Sequence, residues 1–414
     1  MSALPRADVA VVGSGIVGLS CAFHLMQRGA SCLLIDPGGP AAGSSRGNAG
    51  SISVGNVMPQ STPGIALKGA RMLLDRNAPL KLDLPRLPQY WRWLASFVAA
   101  GSGQRLEAIM DALHAINHAA RAPWLQLAQA IGAGELVRPS GYLHVYSSEE
   151  AFAAAAIERA AMRARGVEFE VLGRDGLLDL EPGLGSGFVH GTFQRAALAL
   201  TDPGGFCERL HAALLARGAQ ALAASVHSLH PLAGGCRLET SAGSVHAGRV
   251  VVAAGAWTAP LLRPLGVRLP LVAARGYHLM YRRQPGVLQR PTLWAERYMV
   301  LSPMAAGIRM TSIKELTTTA STPRFSLIRR RDADARTLFP SLAGPAQGEW
   351  AGLRPCTPDS LPVIDSIGEH VHVACGHGHL GMTQGPVSGR LLAQMLAGEQ
   401  TDVPLQPYRL ARFD

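Results

Sequence analysis

Lysine is scarce in this chain. Lys68, Lys81 and Lys314 are the three in 414 residues, so the net charge of +10 is carried almost wholly by arginine. The arginines are scattered, which argues against a nucleic-acid binder, where cationic side chains cluster. The exception is Arg329-Arg330-Arg331, which reads first as a solvated helix face and second as a docking site for a partner or lipid headgroups. Cysteine is also sparse: Cys21, Cys32, Cys207, Cys236, Cys356 and Cys375. No two stand at a CxxC or metal-type spacing, so no zinc or iron–sulfur site is expected. They read as small core residues of a reducing compartment. Charged residues make up 16% against 48% apolar. That balance leaves little scope for disordered tails and predicts a well-buried globular protein. Long uninterrupted apolar runs are lacking too. The stretch 9–26 is broken by Gly13, Gly15 and Gly18, so it reads as strand, turn and helix rather than a membrane span. No leader is expected ahead of that strand. The expected location is cytoplasmic, at most peripheral to the inner face of the cell membrane.

What is present begins with a βαβ unit. Residues 8–12 form a short branched apolar run, read as a buried parallel strand. An apolar-periodic helix follows to about Gly29, and residues 31–35 give a second strand ending at Asp36. Residues 44–55 are rich in Gly, Ser and Asn and read as loop. Helical patterning dominates 63–133. Residues 142–146 read as a strand and 149–165 as one Ala-rich helix. Another buried strand spans 250–255, alternation from 271 to 313 suggests antiparallel strands, and 371–374 and 383–396 give a last strand and helix. The length exceeds one simple core. The expected fold is α/β: a discontinuous Rossmann-like unit (1–58, 200–265 and 346–414) with an inserted antiparallel-sheet plus helix unit (59–199 and 266–345).

The set Gly13-x-Gly15-x-x-Gly18 has a physical reading. The first glycine permits a tight turn, the second lets backbone approach a pyrophosphate, and the third lets helix and strand pack closely. The helix N-terminus then offers N–H groups and a positive dipole end to phosphate. Asp36, at the end of the second strand, is placed to accept a ribose 2′-OH. The turn with Ser14, Ile16 and Val17 is therefore a dinucleotide site. NAD and FAD are not distinguished by it.

Four separated stretches carry a resemblance. They are the N-terminal unit, residues 43–50 (GSSRGNAG), residues 254–257 (AGAW), and the C-terminal runs GLRPCTPD (352–359) and GHGHLGMT (376–383). The chain resembles the FAD-dependent D-amino acid oxidase superfamily, which includes glycine and sarcosine oxidases, and within it the bacterial D-amino acid dehydrogenases. The resemblance implies FAD as cofactor. It implies that Ser44, Ser45, Asn48, Ala49 and Gly50 contact the diphosphate and flavin edge, that Val226 meets the adenine, and that Ala254, Gly255 and Trp257 lie against the dinucleotide. It implies that Gly378, His379, Leu380, Gly381, Met382 and Thr383 lead into a helix whose N-terminus faces the flavin, where its N–H groups would stabilise negative charge.

An amino-acid carboxylate needs a planar bidentate donor, and Arg354 in its Gly-Leu-Arg-Pro setting is the first candidate. Arg275 is a second, with pairing to an acid as its other reading. Tyr277, Tyr298 and His379 line the pocket or simply pack. The implied mechanism has Arg354 fix the carboxylate, a hydride pass from Cα to flavin N5, and the amine proton go to water or His379. Some sarcosine oxidases bind FAD through a cysteine; the matching position here is nearer Gly352 than Cys356, so non-covalent FAD is expected. Those oxidases also use a lysine near the flavin to reduce O₂. Arg309 is expected in that place, which favours a dehydrogenase passing electrons to a quinone or an electron-transfer subunit. The implied substrate is a D-amino acid, with D-proline and hydroxy-D-proline singled out. The alternatives are a glycine or sarcosine-type oxidase making peroxide, and a flavin subunit of a larger complex.

Overall fold

The structure, a computed structural model, describes residues 7–75 and 78–414. The elements that position the site are β1 (Ala7–Val12), α1 (Ile16–Met26), β2 (Cys32–Ile35), α2 (Ile65–Leu74), α3 (Leu87–Ala100), β3 (Gly243–Val252), β4 (Val272–Tyr281), β5 (Gly307–Thr317), β6 (Gly348–Cys356), β7 (Val371–Cys375) and α4 (Gly381–Leu396).

The first sheet is built on parallel neighbours. β1 lies between β2 and β3, with Val12 opposite both Ile35 and Val252. Gln220–Leu222 extends the sheet beyond β2, and β7 runs parallel to β3. Val226–Leu232 and Gly235–Thr240 form an antiparallel meander on the first half of β3. The unbroken apolar composition of β1 follows from burial on both faces. Val9 and Val11 join the core that contains α1 and α4, while Ala10 and Val12 join the core under the meander. α1 and α4 approach closely because α4 offers glycines. A Cβ on Gly389 would collide with the Ser20 backbone, and one on Gly385 would stand 3.0 Å from the Ile16 side chain.

The second sheet runs β6, β4, β5, Met299–Met304, Thr292–Trp294, Tyr142–Tyr146, His190–Gln194 and Glu170–Gly173, with Leu80–Leu82 also pairing β5. β6 therefore belongs to this sheet, antiparallel to β4, although residues 346–414 were expected in the nucleotide unit. From β6 the chain passes into the first sheet through Val363–Ile367, which pairs antiparallel with β7, so β6 is the last strand of the second sheet before the crossing. The single helix expected over 149–165 is two, Glu149–Ala154 and Ala156–Ala164. Among the described residues no helix is long and apolar enough to cross a membrane.

The arginine run is no free basic face. Arg329 pairs with Glu349, and the buried Arg331 side chain pairs with Asp334 and donates to the Arg297 carbonyl. The docking reading of residues 329–331 is corrected accordingly: two of the three guanidinium groups are already satisfied within the chain.

Candidate active site

The turn from β1 into α1 has almost no spare volume. Gly13 has φ +107, and a Cβ there would collide with the Ala253 carbonyl at the end of β3. A Cβ on Gly18 would strike the Gly13 carbonyl. Ser45 Oγ accepts the Ile16 N–H at 3.1 Å, and Asp36 accepts the N–H groups of Ser14 at 2.8 Å and Gly38 at 2.9 Å. The Asp36 carboxylate thus braces the turn while standing at its rim.

A cavity of about 590 Å³ opens at this turn and extends to β6. Its walls include Gly13, Gly15, Ile16, Val17, Asp36, Ser44, Ser45, Asn48, Val226, Ala254, Gly255, Trp257, Gly378, Gly381, Met382 and Arg354. Ser14, Gly18, Ala49, Gly50, His379, Leu380 and Thr383 do not line it. Gly18 packs beneath the turn, Gly50 sits against the Leu200 carbonyl, and Leu380 is buried in apolar core. Thr383 Oγ1 accepts the Ser53 N–H at 3.0 Å, tying α4 to the loop after β2.

α4 points its first turn at the cavity through Gly381 and Met382. Pro386 lies inside this helix and has no N–H to return to the Met382 carbonyl. The Trp124 indole N–H fills that role at 2.9 Å. The loop at 46–48 is fixed from the second sheet. Arg309 donates to the carbonyls of Arg46 at 3.1 Å and Asn48 at 2.6 Å, and His278 Nδ1 donates to the Gly47 carbonyl at 3.1 Å. Burial pulls Arg309 down to about 10 and His278 to about 4. Trp350 stacks on His278, with ring centroids 5.2 Å apart, and lies so close over Gly47 and Gly352 that neither could carry a side chain.

The two candidate arginines separate cleanly. Arg275 is buried with both terminal nitrogens committed to the carbonyls of Thr322 and Ser321, and it stands 3.5 Å from Glu315. Tyr277 donates to the same Glu315, which also binds Arg324. Alternation on β4 explains this: 275 and 277 share one face, 274 and 276 the other. Arg354 stands opposite Ala274, and its guanidinium crosses over Gly276, where a Cβ would strike it. Arg275 and Tyr277 are therefore corrected from site residues to a buried ion-pair cluster behind the sheet. Tyr298 is corrected as well: it is half exposed at the surface, bonded to Lys68 at 2.7 Å. Arg354 alone borders the cavity, and among the described residues no protein acceptor binds its guanidinium.

Sequence reasoning missed Lys314. β5 carries an irregularity at Ile313, which has φ +63, and two partners on β4, Gly276 and Tyr277, face Lys314 and Ser312 with Ile313 between. This one-residue bulge moves Lys314 to the face of Arg309 and Gly276. Lys314 Nζ donates to Gln60 Oε1, and the Gln60 amide nitrogen lies 2.7 Å from His379 Nδ1. An amide nitrogen only donates, so His379 Nδ1 accepts and Nε2 carries the proton. Burial, then Arg354 and Lys314, push His379 down to about 3. It is a neutral hydrogen-bond donor, and this corrects its expected role as proton acceptor. Alternation alone would have placed Lys314 behind the sheet; the bulge brings it to the face that carries Arg354.

The family profile described as FAD dependent oxidoreductase matches residues 8–395. The chain belongs to this family. Members of similar sequence are the D-amino-acid oxidase of Bradyrhizobium diazoefficiens, 30% identical over 416 residues, and the D-amino acid dehydrogenase of the same organism, 29% identical over 417; each alignment covers 98% of both chains. Among solved structures the fold is shared with glycine oxidase from Geobacillus kaustophilus (TM-score 0.75, 23% identity, 98% of this chain and 99% of that one). It is shared also with L-amino acid deaminase from Proteus vulgaris (TM-score 0.76, 18% identity, 100% and 99%). The protein is an FAD-dependent oxidoreductase, and the cavity suits FAD on its own features. The glycine turn and the start of α1 can take the diphosphate, Asp36 the ribose hydroxyls, and the first turn of α4 a developing negative charge.

Proposed function

We propose that the protein oxidises the C–N bond of a D-amino acid. The observation that carries this reading is Arg354. It presents a planar bidentate donor at the cavity wall with no acceptor from the described chain, which suits a carboxylate. Burial lowers its affinity for its own proton, so an anionic ligand is the natural compensation. Arg354 receives the carboxylate, and its lean over Gly276 sets the direction from which the substrate is held. His379 Nε2–H and the Lys314 ammonium add donors around it. Bound FAD would supply the two-electron oxidising capacity that conversion of the amine to an imine requires. The amine proton leaves to water, since His379 is occupied on one nitrogen and protonated on the other. The product imino acid is then hydrolysed in water, or stays cyclic when the substrate is D-proline or hydroxy-D-proline. FAD is held without a covalent bond in this reading. The position where some sarcosine oxidases carry the linking cysteine is nearer Gly352 than Cys356, and Trp350 covers Gly352.

Electrons leave to a quinone or another carrier. A membrane-borne acceptor is supported by the outer faces of α2 and α3 and the turn between them. Leu67, Leu73, Leu84, Trp91 and Val98 are exposed there beside Arg71, Arg86 and Arg92. Such a face matches the interfacial zone of a bilayer with acidic lipids.

The peroxide-forming oxidase is a second reading, favoured by Lys314. Arg309 is committed to the loop at 46–48, so it no longer argues against an oxidase, and a lysine does face the Arg354 side. Anaerobic mixing of the purified yellow protein with D- and L-amino acids, glycine and sarcosine tests the main reading. Bleaching of the flavin by a D-amino acid, with slow recovery in air, is the expected result. Rapid recovery with peroxide release establishes the oxidase, and bleaching by L-amino acids alone overturns the D assignment.

A further inference from the structure

The surroundings of Arg354 carry more positive charge than an ordinary amino acid can balance. Lys314 stands opposite Gly276 on the neighbouring strand, and the Arg354 guanidinium lies over that same glycine. The two cations therefore flank one strand on one face. Glu315, the acid adjacent in sequence, points to the other face and is bound there by Arg275, Arg324 and Tyr277. Among the described residues no carboxylate pairs with Arg354 or with Lys314. Among the described residues, Lys314 has one hydrogen-bond acceptor, the Gln60 carbonyl oxygen, and the Phe97 ring centroid lies 5.7 Å from Nζ. A lysine ammonium has three donors, so two are left over. Gln60 spends its amide N–H on His379, whose free nitrogen also carries a proton. Arg354 at the cavity wall, with Lys314 and His379 behind it on the same face of the sheet, thus brings together only donors. Burial weakens both cations, and the Arg354 charge weakens Lys314 further.

Resting on the D-amino acid reading, we propose that the substrate is a D-amino acid with a second acidic group, one carboxylate on Arg354 and the other on Lys314. With its amine unprotonated, as the oxidation requires, an amino acid with a neutral side chain brings one negative charge to a site that holds two positive ones. A diacid of the aspartate or glutamate class brings two and fills the remaining donors. The chemistry at the C–N bond is unchanged, and Lys314 acts as a specificity-determining residue.

The test uses the FAD-loaded enzyme and two readouts. In the first, glutarate, succinate and butyrate are titrated while the flavin absorbance is followed, which reads binding without turnover. The dicarboxylates are expected to bind on the order of 30-fold more tightly than butyrate, the scale of a buried charge pair. Lys314→Met should bring that ratio close to one, and Lys314→Arg should keep most of it. In the second, D-aspartate and D-glutamate are compared with D-alanine and D-proline in anaerobic bleaching, and the acidic pair should show the lower KM. Equal binding of glutarate and butyrate by the unmodified enzyme overturns the proposal, as does an unchanged ratio in Lys314→Met. The variant Lys314→Arg covers the case in which Lys314→Met does not fold. Bleaching by D-alanine with no dicarboxylate preference removes this proposal and leaves the D-amino acid reading. A dicarboxylate preference with no bleaching by any D-amino acid overturns the D-amino acid reading and the proposed substrate with it, and keeps only the pairing of two carboxylates with Arg354 and Lys314.

Discussion

At the scale of single residues, the two arginines make opposite predictions. Arg354→Lys keeps the charge and loses the planar fork, so KM for the substrate should rise at least about tenfold in steady-state kinetics. An unchanged KM would remove Arg354 from the site. Arg275→Ala should leave KM alone and cost about 3 kcal/mol of stability, because it strips a buried partner from Glu315. Thermal unfolding with bound FAD held at saturation measures this. The buried histidines give a pH prediction. His24, His278 and His372 are lowered to about 4 and His377 to about 3, in each case chiefly by burial. Between roughly pH 4 and 6.5 the unfolded chain therefore binds more protons than the folded one. Stability should be full above about pH 6.5 and fall as the pH drops toward 4, by up to about 1.4 kcal/mol per pH unit for each histidine. Unfolding midpoints in urea between pH 4.5 and 7.5 check the slope. Arg354 was legible as a candidate because bidentate recognition of a carboxylate demands one residue type, and its side chain does stand at the cavity wall. Arg275 and Tyr277 were misplaced because sequence proximity to Gly276 says nothing about which face of a strand a side chain takes.

At the scale of elements, the glycines of the site are where small changes report most. Gly276→Ala places a methyl group where the Arg354 guanidinium now lies. The guanidinium is the end of a flexible side chain, so the fold should survive while KM rises about tenfold, with FAD content unchanged. Retained KM would mean that the lean of Arg354 over β4 is not used. The βαβ unit could be read from sequence because its strand, turn glycines and acid occur in order within 36 residues. The register of β4 on β5 could not. A bulge costs one residue of alternation and leaves no compositional mark at Ile313, a branched residue held at positive φ. The membership of β6 was hidden for a related reason. Its sequence motif belongs to the cofactor site, while its backbone pairs with the other sheet.

For the whole molecule, the site exists because two sheets meet. The first supplies the dinucleotide turn and α4, the second supplies Arg354, Lys314, His278 and Arg309, and the loop at 46–48 lies between them. The outer face of α2 and α3 is remote in sequence from those groups except through β4 and β5, on which Leu80–Leu82 and α3 rest. If electrons leave to a membrane carrier, the enzyme should sediment with vesicles of acidic lipid and much less with neutral ones. Leu67→Glu together with Trp91→Glu should abolish sedimentation and leave anaerobic flavin reduction intact. Loss of neither would place the acceptor in solution. The alternation of elements made the two-sheet architecture visible from sequence, whereas this face was not, since exposure is a property of packing and not of composition.

The bulge at Ile313 has a consequence for how this site can change. Lys314 and Glu315 are neighbours of opposite sign, and the extra residue decides which of them the ligand meets. Drawing Ile313 into the regular ladder would shift the strand beyond it by one residue and exchange the two faces. The site would then present an acid beside Arg354, and a lysine would be buried against Arg275 and Arg324. Deleting Ile313 would instead leave Lys314 opposite Gly276 and Glu315 opposite Arg275, as they stand now. The sign of the charge at the site is thus held by the shape of one residue's backbone, with no substitution of any charged residue.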